Sequence, residues 1–82
     1  MLKKEEYTVL YSITRGKTDL EKLKNVFNDD QKLRKIIIEL ENKKLISIEL
    51  RDGEIYGFIE TEKGETELNN KKYIEWFNEL GD

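Results

Sequence analysis

The chain has 82 residues, of which 37% are hydrophobic and 40% charged, with a formal net charge of −3 and neither cysteine nor histidine. This length predicts one domain with a modest core. The missing cysteine and histidine exclude disulfides, thiolate zinc sites and catalysis by Ser-His or Cys-His pairs. No apolar run approaches the roughly 20 residues that span a bilayer, and the N-terminus lacks a signal-peptide pattern. We therefore expect a cytoplasmic protein with no membrane segment.

The first predicted element is an amphipathic helix over residues 3–13. Tyr7, Leu10 and Ile13 recur at three-residue spacing, which is typical of one buried helical face. Gly16 follows this segment, and glycine is common just after a helix because it tolerates a left-handed backbone. We therefore predict that the helix stops at Gly16.

A second helix is predicted in the segment "TDLEKLKNVF". Thr18 and Glu21 have the spacing of a capping box, in which each side chain satisfies a backbone N–H of the first turn. Its apolar residues fall on one face and are Leu20, Leu23, Val26 and Phe27.

The third predicted helix lies in "NDDQKLRKIIIELENKKL". Asn28 is the expected N-cap, Asp29 and Asp30 suit the positive first turn, and Gln31 follows the cap by three residues. The predicted buried stripe consists of Leu33, Ile36, Ile37 and Leu40. Because only about two residues are left for a turn after the second helix, the two helices are expected to meet at an angle, as in a helix-turn-helix.

A β-hairpin is predicted around Asp52-Gly53, which suits a type I′ turn. Counting outward from the turn pairs Arg51 with Glu54 and places a continuous aliphatic patch on one face. The inward pairs are then Leu50 with Ile55, Ile48 with Gly57, and Ile46 with Ile59. The outward residues are Ser47, Glu49, Tyr56 and Phe58.

The C-terminal part is predicted to be helical, with Thr61 as a cap and a bend or break at Asn69-Asn70. One helical face there carries Tyr73, Trp76, Phe77 and Leu80, with Ile74 nearby. Two interpretations fit this apolar face. It packs on the first helix of the same chain, or it forms a two-fold interface in a homodimer. We favour the dimer as the expectation.

The order helix, helix, helix, hairpin, helix resembles the winged helix-turn-helix superfamily. The passage "ELENKKLISIEL" resembles the family's transition from recognition helix to wing, and "IETEKGETEL" resembles its exit from the wing. The chain looks most like small prokaryotic and archaeal regulators related to the MarR and PadR families. This resemblance implies an α+β fold with a winged helix-turn-helix domain over residues 1–68 and a dimerising C-terminal helix over residues 69–82. It also implies a DNA-binding transcriptional regulator.

Charge predicts that any DNA-binding footprint is local. Residues 1–59 carry 12 Lys and Arg against 11 Asp and Glu, whereas residues 60–82 carry 3 against 7. DNA-binding proteins usually neutralise phosphates with a basic surface. On a helical wheel, the residues opposite the buried stripe of the third helix, with their flanking cations, can contact phosphates and base edges. The predicted DNA-binding residues are Gln31, Lys32, Arg34, Lys35, Asn42 and, at the wing tip, Arg51.

Three alternatives remain open beside this prediction. The lysines and arginines of the third helix could serve only to keep an amphipathic helix soluble. Ile38 falls outside the buried stripe and either packs on the first helix or forms an exposed contact. The whole protein could instead be an interaction module that binds a protein partner through its acidic or aromatic surface.

No catalytic constellation is found in the sequence, so an enzyme is not expected. Asp29 and Asp30 are explained as helix-capping carboxylates, since no further metal ligand stands at fixed spacing. No glycine-rich phosphate loop follows a predicted strand. We therefore expect neither a metal nor a cofactor.

Overall fold

The computed structural model describes residues 1–81. Within that range the chain forms five α-helices, a short 3-10 helix and one two-stranded antiparallel sheet, an α+β arrangement. The elements are α1 (Lys4–Thr14), α2 (Leu20–Lys24), α3 (Asp30–Asn42), β1 (Ile46–Arg51), β2 (Glu54–Glu60), α4 (Glu62–Leu68), the 3-10 helix (Lys71–Tyr73) and α5 (Ile74–Gly81).

The first helix begins and ends where its local signals place it. The Glu6 carboxylate accepts a hydrogen bond from the backbone N–H of Lys3 at 2.9 Å, which satisfies one of the free donors of the first turn. At the other end Gly16 adopts a φ of 102°, and Lys17 N–H donates to the carbonyl of Ser12 at 3.0 Å. This is a left-handed glycine termination. The predicted first helix and its stop are confirmed.

Both predicted caps of the next two helices are wrong by one residue. Asp19, rather than Thr18, caps α2 by accepting the Lys22 N–H at 2.8 Å. Asp29, rather than Asn28, caps α3 by accepting the Lys32 N–H at 3.1 Å. An aspartate carboxylate also gains from the positive end of the helix dipole, which favours it over a neutral cap.

Helix α2 is shorter than the sequence pattern indicates. It ends at Lys24, and residues 25–29 connect it to α3, so the expected two-residue turn is wrong. Of the four apolar residues predicted for this helix, only Leu23 is fully buried. Leu20 and Phe27 are partly buried against the core, and Val26 is exposed.

Helix α3 buries the predicted stripe. Leu33, Ile36, Ile37 and Leu40 all lie in the core, mainly against α1. A left-handed residue, Lys44, with a φ of 64°, stands just beyond the end of the helix. There the N–H of Leu45 donates to the Leu40 carbonyl at 2.9 Å and the Lys44 N–H to the Glu41 carbonyl at 2.8 Å.

The hairpin turn is confirmed, but the predicted strand register is wrong beyond its first two pairs. Asp52 and Gly53 have φ values of 53° and 79°, as a type I′ turn requires. Arg51 lies opposite Glu54, and Leu50 opposite Ile55. The register then shifts between Glu49 and Leu50, leaving an extra residue on β2, and the remaining pairs are Glu49 with Gly57, Ile48 with Phe58, Ser47 with Ile59 and Ile46 with Glu60.

This β-bulge exchanges the predicted orientations of Phe58 and Ile59, whereas Tyr56 is exposed as predicted. Phe58, expected outside, is 3% exposed in the core, and Ile59, expected inside, is 50% exposed. The Phe58 N–H donates to the carbonyl of Thr18 at 2.9 Å, and a side chain on Gly57 would approach the same carbonyl to 2.9 Å. The segment before α2 therefore lies along the free edge of β2, and the bulge adjusts β2 to it.

The C-terminal part breaks at the predicted position. Thr61 caps α4 by accepting the Gly64 N–H at 3.0 Å, and α4 ends at Leu68. Asn70 then caps the 3-10 helix that leads into α5. Tyr73 is buried against Tyr7, with 4.9 Å between ring centroids.

None of the helices within residues 1–81 combines the length and apolar character needed to cross a membrane.

Candidate nucleic-acid interface

The outward face of α3 is formed by four side chains that the core does not use. They lie opposite the buried stripe because the helix repeats every 3.6 residues, and all are exposed. Two are amides, one is a cation and one is apolar. We call this set the α3 outward face: Gln31, Lys35, Ile38 and Asn42.

Lys35 is the cation of this face. The ion pairs of α3 engage Lys32, Arg34 and Asp30, and Lys35 belongs to none of the ion pairs found within residues 1–81. Its ammonium group is therefore available to an anionic partner without first breaking an intramolecular ion pair.

Lys32 is held by α1. Its Nζ lies 2.7 Å from Oε2 of Glu5 and donates to Oε1 of the same carboxylate at 2.9 Å. Beyond it, Lys43 Nζ lies 3.4 Å from Oε2 of the buried Glu6. These pairs join one side of α3 to α1, so Lys32 would contact a phosphate only in competition with Glu5.

Arg34, on the other side of α3, is also paired. Its Nε donates to Oδ2 of Asp30 at 3.2 Å, and Lys24 Nζ lies 3.4 Å from Oδ1 of the same carboxylate. The bond from Arg34, followed by that from Lys24, lowers the pKa of Asp30. Exposed pairs such as these hold their partners only weakly, typically by about 0–1 kcal/mol. Arg34 therefore exchanges Asp30 for another anion at small cost.

A groove of about 890 Å³ runs between the start of α1 and α3. Charges of both signs line it, including Glu5, Glu6, Lys35 and Lys43. Because the carboxylates oppose the lysines, the groove is not a pocket for a small anion. The groove instead adjoins the α3 outward face, with which it shares Gln31 and Lys35.

The tip of the hairpin carries Arg51, whose guanidinium lies 4.0 Å from the ring centroid of Tyr56. The two residues form a cation–π contact, and Tyr56 is the extra residue of the bulge. Glu54 faces Arg51 in the register, yet no ion pair joins them in the part of the chain that the structure describes. Arg51 therefore contacts an aromatic ring rather than Glu54.

The hairpin is fixed to α3 by one hydrogen bond. The Glu41 carboxylate accepts the backbone N–H of Ile48 at 3.1 Å. The bond ties the C-terminal half of α3, which carries Asn42, to the base of the hairpin. The structure therefore couples the two predicted DNA-binding elements, although it does not bring Arg51 into the α3 outward face.

The predicted dimer-interface residues pack on α1 of their own chain. Tyr73 is buried, and Trp76, Phe77 and Leu80 are partly buried against the core. The ring centroids of Trp76 and Tyr7 are 5.7 Å apart, and those of Phe77 and Tyr11 are 5.8 Å apart in an edge-to-face arrangement. The exposed apolar residue of α5 is Ile74.

Sequence reasoning left open whether Ile38 packs on the first helix or is exposed, and the structure places it on the outward face beside Gln31. The signal was the run Ile36-Ile37-Ile38, since a helix on one surface buries only two of three consecutive residues. It also did not detect the contact of Arg15 with Tyr11, whose ring centroid is 4.7 Å from the guanidinium.

No cluster of three or more potential metal ligands occurs within residues 1–81. In the comparisons with known proteins, no family model, no curated protein and no solved structure matches this chain.

Proposed function

We propose that this protein is a winged-helix regulator of transcription that binds double-stranded DNA. In this proposal α3 enters the major groove, and the wing tip contacts the backbone or the minor groove through Arg51. The observation that carries the proposal is the α3 outward face, because its amides, cation and isoleucine are exposed without any role in the core.

The charged side chains of α3 support a modest, local electrostatic contribution to DNA affinity. Lys35 is unpaired within residues 1–81, and Lys32 and Arg34 flank it in exposed ion pairs that cost little to break. The α3 helix carries three basic and three acidic residues, so its net charge is zero. Affinity in this proposal therefore depends on where the cations lie rather than on the overall charge of −3.

Two copies act together in this proposal. Ile74 and the exposed parts of Trp76, Phe77 and Leu80 form the contact between them, and the two α3 helices then read successive half-sites. The packing of these residues on α1 within one chain leaves only their outer edges for a partner.

The decisive experiment is a gel-shift titration against mixed-sequence duplex DNA at two salt concentrations. We expect binding that weakens with salt, because phosphate contacts release counterions. Lys35→Ala and Gln31→Ala should weaken binding while the melting temperature stays within a degree or two, since both side chains lie off the core. The matched control is Lys63→Ala, which removes one exposed lysine from α4.

Removal of a cation that contacts a phosphate should change how DNA affinity depends on salt concentration. Lys32→Ala or Arg34→Ala should make the slope of log affinity against log salt shallower by about one for each phosphate that is no longer neutralised. Unchanged affinity in both Lys35→Ala and Gln31→Ala would exclude α3 as the reading helix. Absence of binding to any duplex at low salt would exclude the proposed function.

The hairpin favours a second candidate function, binding of a protein partner. Leu50 is 66% exposed and Tyr56 53% exposed, so two large side chains with apolar surface lie exposed on the wing near its turn. A photoreactive amino acid at position 50, followed by cross-linking in cells and mass spectrometry, tests it. One recurrent cross-linked protein, combined with no DNA binding, would establish this function in place of the first.

A further inference from the structure

Ile38 is an apolar residue in the middle of the α3 outward face. Its side chain is 51% exposed, while the adjacent Ile36 and Ile37 are 7% and 0% exposed in the core. Along the helix it lies between Lys35 and Asn42, and on the helical wheel it stands beside Gln31. The fold therefore uses the two isoleucines before it and leaves Ile38 to solvent.

Stability does not explain an isoleucine at this position. Alanine has a higher helix propensity, because a β-branched side chain loses rotamer freedom against the preceding turn. An exposed polar residue would also keep the surface more soluble. The side chain therefore suits a surface that is covered by a partner.

The neighbouring residues indicate the chemistry of that partner. In the major groove, adenine offers an acceptor and a donor that match the amide of Gln or Asn, and thymine offers its C5-methyl group to an apolar side chain. The α3 outward face has two such amides, Gln31 and Asn42, with an isoleucine between them. Guanine is read most often by arginine or lysine, and Lys35 is the one such residue on this face.

The spacing of Gln31 and Ile38 along α3 also fits a single major groove. Ile38 follows Gln31 by seven residues, which is about 10 Å along a helix that rises about 1.5 Å per residue. Base pairs repeat about every 3.4 Å along the duplex. Gln31 and Ile38 can therefore reach bases about three pairs apart within the same major groove.

We propose that the α3 outward face prefers A·T-rich duplex DNA, with Ile38 packing on a thymine methyl group. The preference rests on the proposed DNA-binding function and specifies its substrate. Lys35 supplies the charge complementary to the phosphate backbone, and Gln31 and Asn42 supply the hydrogen bonds to adenine.

The test compares three duplexes of 24 base pairs: one of alternating A and T, the same duplex with every thymine replaced by uracil, and one of alternating G and C. Uracil removes only the methyl group in the major groove and leaves the minor-groove edge unchanged. Binding is measured by fluorescence anisotropy at one fixed salt concentration. We expect the thymine duplex to bind at least tenfold more tightly than the G·C duplex, and about fourfold more tightly than the uracil duplex for each methyl contacted, equivalent to about 0.8 kcal/mol.

Two variants assign the effect to Ile38. Ile38→Ala should bind the thymine and uracil duplexes equally, whereas Ile38→Val, which keeps a branched side chain, should retain most of the difference. Ile59→Ala is the matched control, because it removes an equally exposed isoleucine from the hairpin and should leave the ratio unchanged. Circular dichroism melts accompany each variant.

The outcomes separate this inference from the proposed function. Equal binding of thymine and uracil duplexes by the unaltered protein would overturn the role of Ile38 while leaving DNA binding intact. A difference that persists in Ile38→Ala would overturn the assignment to this residue. Failure to bind any of the three duplexes at low salt would overturn both proposals.

Discussion

At the scale of single residues, Tyr73 connects the two ends of the chain. Its hydroxyl donates to Oε1 of Glu67 at 2.8 Å and accepts the backbone N–H of Leu2, also at 2.8 Å. Burial is the main cause of the raised pKa of this phenol, so the hydroxyl keeps its proton. One side chain thus satisfies a backbone donor from the start of the chain and a carboxylate from α4.

Tyr73→Phe is expected to lower the free energy of unfolding by about 1–3 kcal/mol. The change keeps the ring but leaves the buried Leu2 N–H without an acceptor, and such orphaned groups carry their full desolvation cost. Urea denaturation measures the difference. Tyr56→Phe, at an exposed position, should change stability by less than about 0.5 kcal/mol. Equal effects of the two substitutions would contradict the role given to Tyr73.

The lowered pKa of Glu67 predicts that the stability of the fold depends on pH. Its pKa is lowered first by the hydrogen bond from Tyr73 and then by Lys72, whose Nζ lies 3.1 Å away. A carboxyl group with a lower pKa in the folded state contributes stability above its unfolded pKa, about 4.3, and loses it as pH falls through the folded value. Urea unfolding between pH 7 and pH 2 should show Glu67→Gln to be less stable than the unaltered protein at pH 7. The difference should disappear towards pH 2; a constant difference would contradict this linkage.

At the scale of elements, α4 is attached to the loop between α3 and β1 by very close contact. The Thr61 hydroxyl donates to the Lys44 carbonyl at 2.9 Å while it caps the helix by accepting the Gly64 N–H. Gly64 lies so close to the Leu45 carbonyl that no side chain fits between them. The glycine in "TEKGETEL" is therefore required by helix packing rather than by a left-handed backbone.

Gly64→Ala is expected to destabilise the fold by more than about 2 kcal/mol, because the added methyl group would clash with the backbone of Leu45 and force α4 away. Gly81→Ala is the matched control. A side chain there would meet only the Tyr11 hydroxyl, at an ordinary contact distance of 3.8 Å, and alanine favours a helix by up to about 1 kcal/mol over glycine. Thermal melts of both variants measure the difference. Similar melting temperatures would show that α4 adjusts its position freely.

At the scale of the whole molecule, the packing of α5 on α1 limits which of its side chains a second copy could contact. The aromatic residues of α5 pack on α1, and Lys4 Nζ lies 3.0 Å from Oε1 of Glu79 across the same contact. A dimer in our proposal uses Ile74 and the outer edges of these aromatics, so its interface and the monomer core share side chains.

We expect the unaltered protein to sediment as a dimer in analytical ultracentrifugation and Ile74→Glu to sediment as a folded monomer. A charge on the exposed side of α5 opposes association without entering the core. By contrast, Trp76→Ala with Phe77→Ala should also lower the stability of the monomer, because both rings are partly buried against its core. A monomer at all concentrations up to the high micromolar range would rule out the dimer and weaken the expectation of two half-sites.

Local signals in the sequence determined the helices and the turn. The stripe of α3, the glycine stop after α1, the Thr61 cap and the Asp52-Gly53 turn depend on side chains only a few residues apart, so spacing alone predicts them. The predicted caps of α2 and α3 were one residue off. Neighbouring Thr, Asn and Asp residues compete for the same capping position, and their local hydrogen bonds decide between them.

Only the tertiary structure decided the register of the hairpin and the position of α5. The bulge at Tyr56 turns Phe58 into the core, and the Phe58 N–H then meets the carbonyl of Thr18, forty residues earlier. The alternation of apolar and polar residues in the strands cannot predict that contact, because the contact depends on where the segment before α2 lies. The packing of α5 on α1 likewise depends on where the apolar face of α1 lies in the folded chain. Such long-range contacts are decided by packing, whereas hydrophobic periodicity specifies only which faces have to be covered.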